Sequence, residues 1–171
     1  MPRIRPATVD DCPAIAEIYR HYVENSVATF DVESLAVDEW ARKLEHIVAV
    51  GQPFLVVENL EDDALPTGVL GYAYLGTYRG KDGWKHTAED SIYLRPEAAG
   101  RGLGKWLLQA LLDATDRGVT RNVMAVISDE VPGSIALHRT VGFVEVGRTP
   151  AVGFKFDRWI GVVYMHYAIA E

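Results

Sequence analysis

Apolar and polar positions along the chain alternate between two periods, and the switches between them lay out the elements. Residues 4–7 read as a short first strand. Thr8-Val9-Asp10-Asp11 then has the Thr-x-x-Asp form of a capping box. Ile15, Ile18, Tyr19 and Tyr22 recur at i, i+3, i+4 and i+7, which gives a helix one apolar face. A second helix is expected over 37–50, where Trp40, Leu44, Ile47 and Val48 share a face before Gly51 stops it. Phe54 to Glu58 reads as a strand, 59–67 as an acidic turn, and 68–75 as the hairpin partner. Thirteen residues, 76–88, follow as a loop with three glycines, Tyr78, Arg79, Lys81, Trp84, Lys85 and His86. A loop of that length between strands is usually functional. Residues 89–94 form a strand stopped by Arg95-Pro96. Residues 102–117 form a helix with Leu103, Leu107, Ala110, Leu111 and Ala114 on one face. The unbroken apolar run 123–127 fits the centre of a sheet. A short helix over 134–141, a strand opened by Gly142-Phe143 and a last strand over 159–169 complete the order. That order predicts an α/β (α+β) fold, a mixed sheet with helices on both faces, in a single domain over 1–171.

Composition narrows the function classes. The 171 residues are 49% hydrophobic and 24% charged, an ordinary globular balance. The net charge of −7 disfavours nucleic acid and anionic membranes as partners. The chain has one cysteine, Cys12, and therefore no intrachain disulfide. Its place at a helix start suits either a reactive thiol or a packing residue. No apolar run reaches the length of a membrane span and the first residues are not those of a signal peptide, so a soluble cytoplasmic protein is expected.

The most specific segment is Leu94-Arg95-Pro96-Glu97-Ala98-Ala99-Gly100-Arg101-Gly102-Leu103-Gly104-Lys105. A strand ends, and a Gly-x-Gly-x-Gly run opens a helix. Glycines let a ligand approach the backbone closely, and the exposed amides at a helix start favour phosphate. Arg101 and Lys105 add cationic contacts. The spacing is neither a Walker loop nor a dinucleotide fingerprint.

This block resembles the acetyl-CoA-binding motif of the GNAT superfamily of N-acetyltransferases, Gln/Arg-x-x-Gly-x-Gly/Ala after a strand. Gly102 and Gly104 match; Ala99 stands where the motif has Gln or Arg. The opening 5–11 and the segment 134–143 resemble the superfamily's first strand with its cap and its late helix. Glu89-Asp90-Ser91-Ile92-Tyr93-Leu94, Leu137-His138 and 153–159 resemble the phosphinothricin / methionine sulfone (sulfoximine) acetyltransferase branch. The resemblance covers the whole chain. It implies the GNAT fold, with a mostly antiparallel twisted sheet, acetyl-CoA as cosubstrate, no metal, a small-molecule amine acceptor and a homodimer.

The implied chemistry is direct acetyl transfer to an amino group. An ammonium must lose a proton, the carbonyl oxygen's charge must be held, and the thiolate must be accommodated. The resemblance gives Glu89 the role of general base and His138 that of proton donor to the thiolate. It places the strand residues Ile92, Tyr93 and Leu94 along the pantetheine arm, with one of their amides as oxyanion donor. Gly100, Arg101, Gly102, Leu103, Gly104 and Lys105 would hold the pyrophosphate. Around Val131 many relatives carry an Asn toward pantetheine, which is absent here. The loop residues Arg79, Lys81, Asp82, Gly83 and Trp84, with Phe30 and Lys155, are the candidate acceptor site. Arg79 or Lys81 suits a carboxylate. Two other readings fit the same residues: an acyl-CoA-binding sensor without turnover, and an acetyltransferase for a protein or peptide amine.

Overall fold

A computed structural model describes residues 1–61 and 64–169. The elements run β1 (Arg3–Pro6), α1 (Cys12–Asn25), α2 (Val37–Ala49), β2 (Phe54–Asn59), β3 (Gly68–Thr77), β4 (Thr87–Leu94), α3 (Leu103–Asp113), β5 (Asn122–Ser128), α4 (Pro132–Thr140), β6 (Val144–Lys155) and β7 (Arg158–Ala168). The strands make one seven-stranded sheet in the order β1-β2-β3-β4-β5-β7-β6. Every neighbouring pair is antiparallel except β4 and β5.

The sheet carries a core on each face. On one, α3 buries Leu107, Leu108 and Leu111 against Val57, Leu70, Leu75, Val123 and Met165. On the other, Ile15, Ile18 and Tyr19 of α1 and Trp40, Leu44 and Ile47 of α2 meet Phe54, Val56, Tyr72 and Tyr74. This explains why Phe54–Val57 of β2 and Val69–Leu75 of β3 carry apolar residues on both sides: over these stretches both faces are buried. Before α1, the Asp11 carboxylate accepts the Thr8 amide at 2.8 Å and both Arg5 nitrogens, so the expected capping box forms. Cys12 is buried and burial raises its pKa, which favours the packing reading. No helix among the described residues is long and apolar enough to cross a membrane.

Three boundaries differ from the sequence expectation. The loop over 76–88 shrinks to 78–86, because Gly76 and Thr77 pair with Glu89 and Ala88 and extend the ladder. The helix α3 ends at Asp113, short of Arg117. β6 starts at Val144 and runs twelve residues, crossing two irregularities in its pairing with β7. Asp62 and Asp63, within the expected acidic turn, lie outside the described residues.

Candidate active site

The site begins where two strands part. β4 and β5 pair only over Thr87–Asn122, Ala88–Val123 and Glu89–Met124. Beyond that point they diverge, and a cleft of about 680 Å³ opens between Glu89–Leu94 and Ala125–Ile127. β4 keeps its full pairing with β3 throughout, with Tyr72 opposite Tyr93 and Gly71 opposite Leu94. The Arg95 amide donates to the Leu70 carbonyl. In an antiparallel ladder donors alternate sides. The Tyr93 amide therefore faces β3, while those of Ile92 and Leu94 face the gap. The Leu94 carbonyl on that side accepts the Tyr22 hydroxyl at 2.6 Å.

At the far end of β4 the glycine turn closes the cleft. Gly100 and Gly102 have φ of 73° and 80°, and a Cβ on either would meet nothing within 4 Å. Glycine is needed there for backbone conformation and for the open space beside the chain. Gly102 is the N-cap of α3, so the first-turn amides of Leu103, Gly104 and Lys105 lack intrahelical acceptors. Gly100, Gly102, Gly104 and Lys105 line the cleft. Open glycines, free amides and a nearby ammonium suit a diphosphate. Ala99 and Val131 also line it, so the two departures from the motif face the same space.

At the near end, Glu89 is half-buried. Burial, then the neighbouring charge of Asp90, raises its pKa to about 7, opposed by Lys43 of α2. One residue along the strand, Asp90 faces the opposite side of the sheet. Its Oδ2 accepts His138 Nε2 at 2.9 Å. His138 Nδ1 lies 2.7 Å from the Ser134 carbonyl, and the ring packs edge-on against Phe143. Burial lowers the His138 pKa, but the Asp90 charge, its hydrogen bond and the Ser134 carbonyl outweigh that, and the net direction is upward.

The remaining expected residues divide by location. Ile92, Tyr93 and Leu94 line the cleft with Glu89 and His138. Leu103 belongs to the core, and Arg101 turns out toward the Ala64 carbonyl at 3.4 Å. Arg79, Lys81, Asp82 and Trp84 line a separate recess of about 280 Å³ beside α2, in which the Arg79 guanidinium stacks on Tyr78 and Trp84. Gly83 sits between Asp82 and Trp84 in a single helical turn and does not line the recess. Thr87, two residues before Glu89, lines this recess, so the two spaces are roughly 7 Å apart along β4. Phe30 lies over Gly153, where a Cβ would come within 2.3 Å of its ring. Lys155 is buried, with Nζ bonded to the Ser26 and Thr29 carbonyls at 2.8 Å each. Neither Phe30 nor Lys155 lines the cleft, but Ala28 between those carbonyls does. Asp90 and Ser134 were not singled out from the sequence. The available signal was a carboxylate at an inward position of an apolar strand.

Comparison with known proteins agrees with this geometry. Residues 15–143 match the acetyltransferase (GNAT) family. The phosphinothricin N-acetyltransferase of Alcaligenes faecalis is 37% identical over 95% of this chain and 80% of its own length. The L-methionine sulfoximine/L-methionine sulfone acetyltransferase of Salmonella typhimurium (strain LT2) is 36% identical over 98% of this chain and 95% of its own. The solved structure of yncA from Salmonella typhimurium, with its cofactor acetyl-CoA, superposes with a TM-score of 0.93 at 34% identity, covering 100% of this chain and 95% of that one. With parted strands, a glycine turn and relatives matched nearly end to end, the chain belongs to the GNAT acetyltransferase family.

Proposed function

We propose that the protein transfers the acetyl group of acetyl-CoA to the amino group of a small amino acid or analogue, of the kind represented by phosphinothricin, methionine sulfoximine and methionine sulfone. One observation carries the reading: the gap between β4 and β5 joins a diphosphate-binding turn at one end to a carboxylate with a raised pKa at the other. Acetyl-CoA supplies an acyl carbon activated as a thioester. The amides of Gly102–Lys105 hold its pyrophosphate, and the open edge of β4 from Ile92 to Leu94 takes its pantetheine arm.

Glu89 removes the proton from the acceptor ammonium. A pKa near 7 leaves it enough carboxylate to act at neutral pH while keeping it basic. The Ile92 and Leu94 amides face the gap and are placed to hold the charge that develops on the carbonyl oxygen. The freed amine attacks the thioester carbon, and collapse of the tetrahedral adduct breaks the C–S bond. His138 gives up one of its two hydrogen bonds to pass a proton to the departing sulfur, and the proton shed by the new amide nitrogen leaves through solvent and restores it. The acceptor's carboxylate goes to Arg79 or Lys81 in the neighbouring recess, where Asp82, Gly83 and Trp84 shape its surroundings, while Phe30 and Lys155 act only through the segment that carries Ala28. The acceptor side is compact, which favours a small amine over a peptide.

We further infer a homodimer. Its support is the long exposed edge strand β6 and the apolar side chains on its hairpin with β7, among them Val146, Val152, Phe154 and Trp159. The reaction belongs in the cytoplasm, where acetyl-CoA is available.

Free thiol release tests the function directly. With acetyl-CoA, release is expected with methionine sulfone or phosphinothricin and not with peptides. Glu89→Gln is expected to lower turnover about 10²- to 10⁴-fold with unchanged CoA affinity. Tight CoA binding without release for any acceptor would instead support a sensor, and an unaltered Glu89→Gln rate would remove Glu89 from its role.

A further inference from the structure

Asp90 stands next to the proposed base and is itself buried, yet the acetyl transfer just described gives it no task. Its side chain is 1% exposed, as buried as the His138 ring at 2%. A carboxylate placed there without a counter-charge would be strongly destabilising, so it implies a cation opposite it. Among the described residues, the basic side chain bonded to it is His138.

The ring geometry says which form of His138 the site accommodates. Nε2 faces a carboxylate oxygen, and Nδ1 faces a backbone carbonyl, which is an acceptor only. Against an ionised Asp90, a neutral imidazole with its one N–H would leave a lone pair facing one of these oxygens. An imidazolium donates to both. The other Asp90 oxygen, Oδ1, is buried in the cleft wall with no hydrogen-bond partner, so Asp90 is not spent in a wider structural network.

We propose that Asp90 is a positioning residue for acetyl transfer, one that holds His138 as an imidazolium on the cofactor side of the parted strands. The inference rests on Glu89 and His138 being the reacting pair. Alternation along β4 puts Glu89 on the face toward α2 and Asp90 on the face toward α4. One strand thereby carries the base on one side and anchors the acid on the other. Two hydrogen bonds hold the ring with its charge beside the gap where negative charge collects on sulfur, and one of them opens when the proton is passed on. The charged groups bearing on Glu89 are Asp90 and Lys43, and the one bearing on His138 is Asp90.

The arrangement predicts a coupled pH signature. Rate rises with pH as Glu89 loses its proton and falls as His138 loses its own. The Asp90 charge raises both pKa values. Asp90→Asn removes that charge while keeping the shape, so both limbs of the kcat/KM profile are expected to move to lower pH. A residue that only supported the fold would lower the rate without moving the limbs, and that result would overturn the proposal. If Asp90→Asn does not fold, the ring 15N shifts of His138 in the unaltered protein decide. Both nitrogens protonated at pH 7.5 supports the assignment, and a single neutral tautomer overturns it. Glu89→Gln separates the two levels of inference. Full activity in that variant removes the reacting pair itself. A dead Glu89→Gln with unmoved limbs in Asp90→Asn removes only the role of Asp90.

Discussion

Lys155 shows how one residue can shape a site it does not enter. Its ammonium is buried and spans two carbonyls of the segment between α1 and α2, those of Ser26 and Thr29. Burial pushes its pKa down, opposed by Asp31. On the same segment the Tyr19 hydroxyl bonds Thr29 Oγ1 at 2.8 Å and also reaches Asp31. Ala28, held between these anchors, forms cleft wall. Lys155→Met removes two donors and leaves two buried carbonyls unpaired, a loss of about 2–5 kcal/mol of stability. Urea denaturation measures it, and the acceptor KM is expected to rise more than the CoA dissociation constant. Equal stability and an unchanged KM would show the segment holds itself. At this scale the sequence spoke unevenly. Glu89, the glycines and His138 were legible because they sit in a recognisable block. The two carbonyls that engage Lys155 lie more than a hundred residues away in the chain, and no local pattern reports a contact that distant.

Among the elements, helices were the easier to read. A helix buries one stripe, and α1, α2 and α3 each show theirs in the spacing of Ile, Leu and aromatic residues. The β6–β7 hairpin was legible only at its end. Gly147, Pro150 and Gly153 interrupt the alternation, and two register shifts let β6 continue through them. The brevity of the β4–β5 pairing left no mark either, because strand divergence is a property of two segments and not of either one. The hairpin also carries the support for the proposed homodimer. β6 is an edge strand, and such edges are usually covered or charged. Here Val152, Phe154, Phe156 and Trp159 are about half exposed or more. Light scattering is expected to give twice the 18.9 kDa chain mass, and Trp159→Ser together with Phe154→Ser to give the single chain. A single-chain mass for the unaltered protein at tens of micromolar would rule out this interface.

For the molecule as a whole, the sheet is a partition with an opening in it. The glycine turn, α3 and α4 stand on one side; Glu89, Tyr22 and Ala28 stand toward the other. The net charge of −7 belongs to the chain as a whole, while the cationic groups expected at the ligands, Lys105 on one side and Arg79 and Lys81 on the other, are local. The two substrates are expected to enter this opening from opposite faces of the sheet, so that neither has to queue for the other. On that expectation neither arrival is a precondition for the other, and neither product waits for the other to leave. Initial-rate measurements are therefore expected to give intersecting reciprocal plots. A non-reactive CoA analogue should compete with acetyl-CoA and inhibit noncompetitively against the amine, and a non-reactive amine analogue should do the reverse. Uncompetitive inhibition by the amine analogue against acetyl-CoA would reveal a compulsory order instead. An enzyme without such an order responds to whichever of its two substrates is scarce, so its rate in the cell follows the supply of acetyl-CoA as readily as the arrival of the amine.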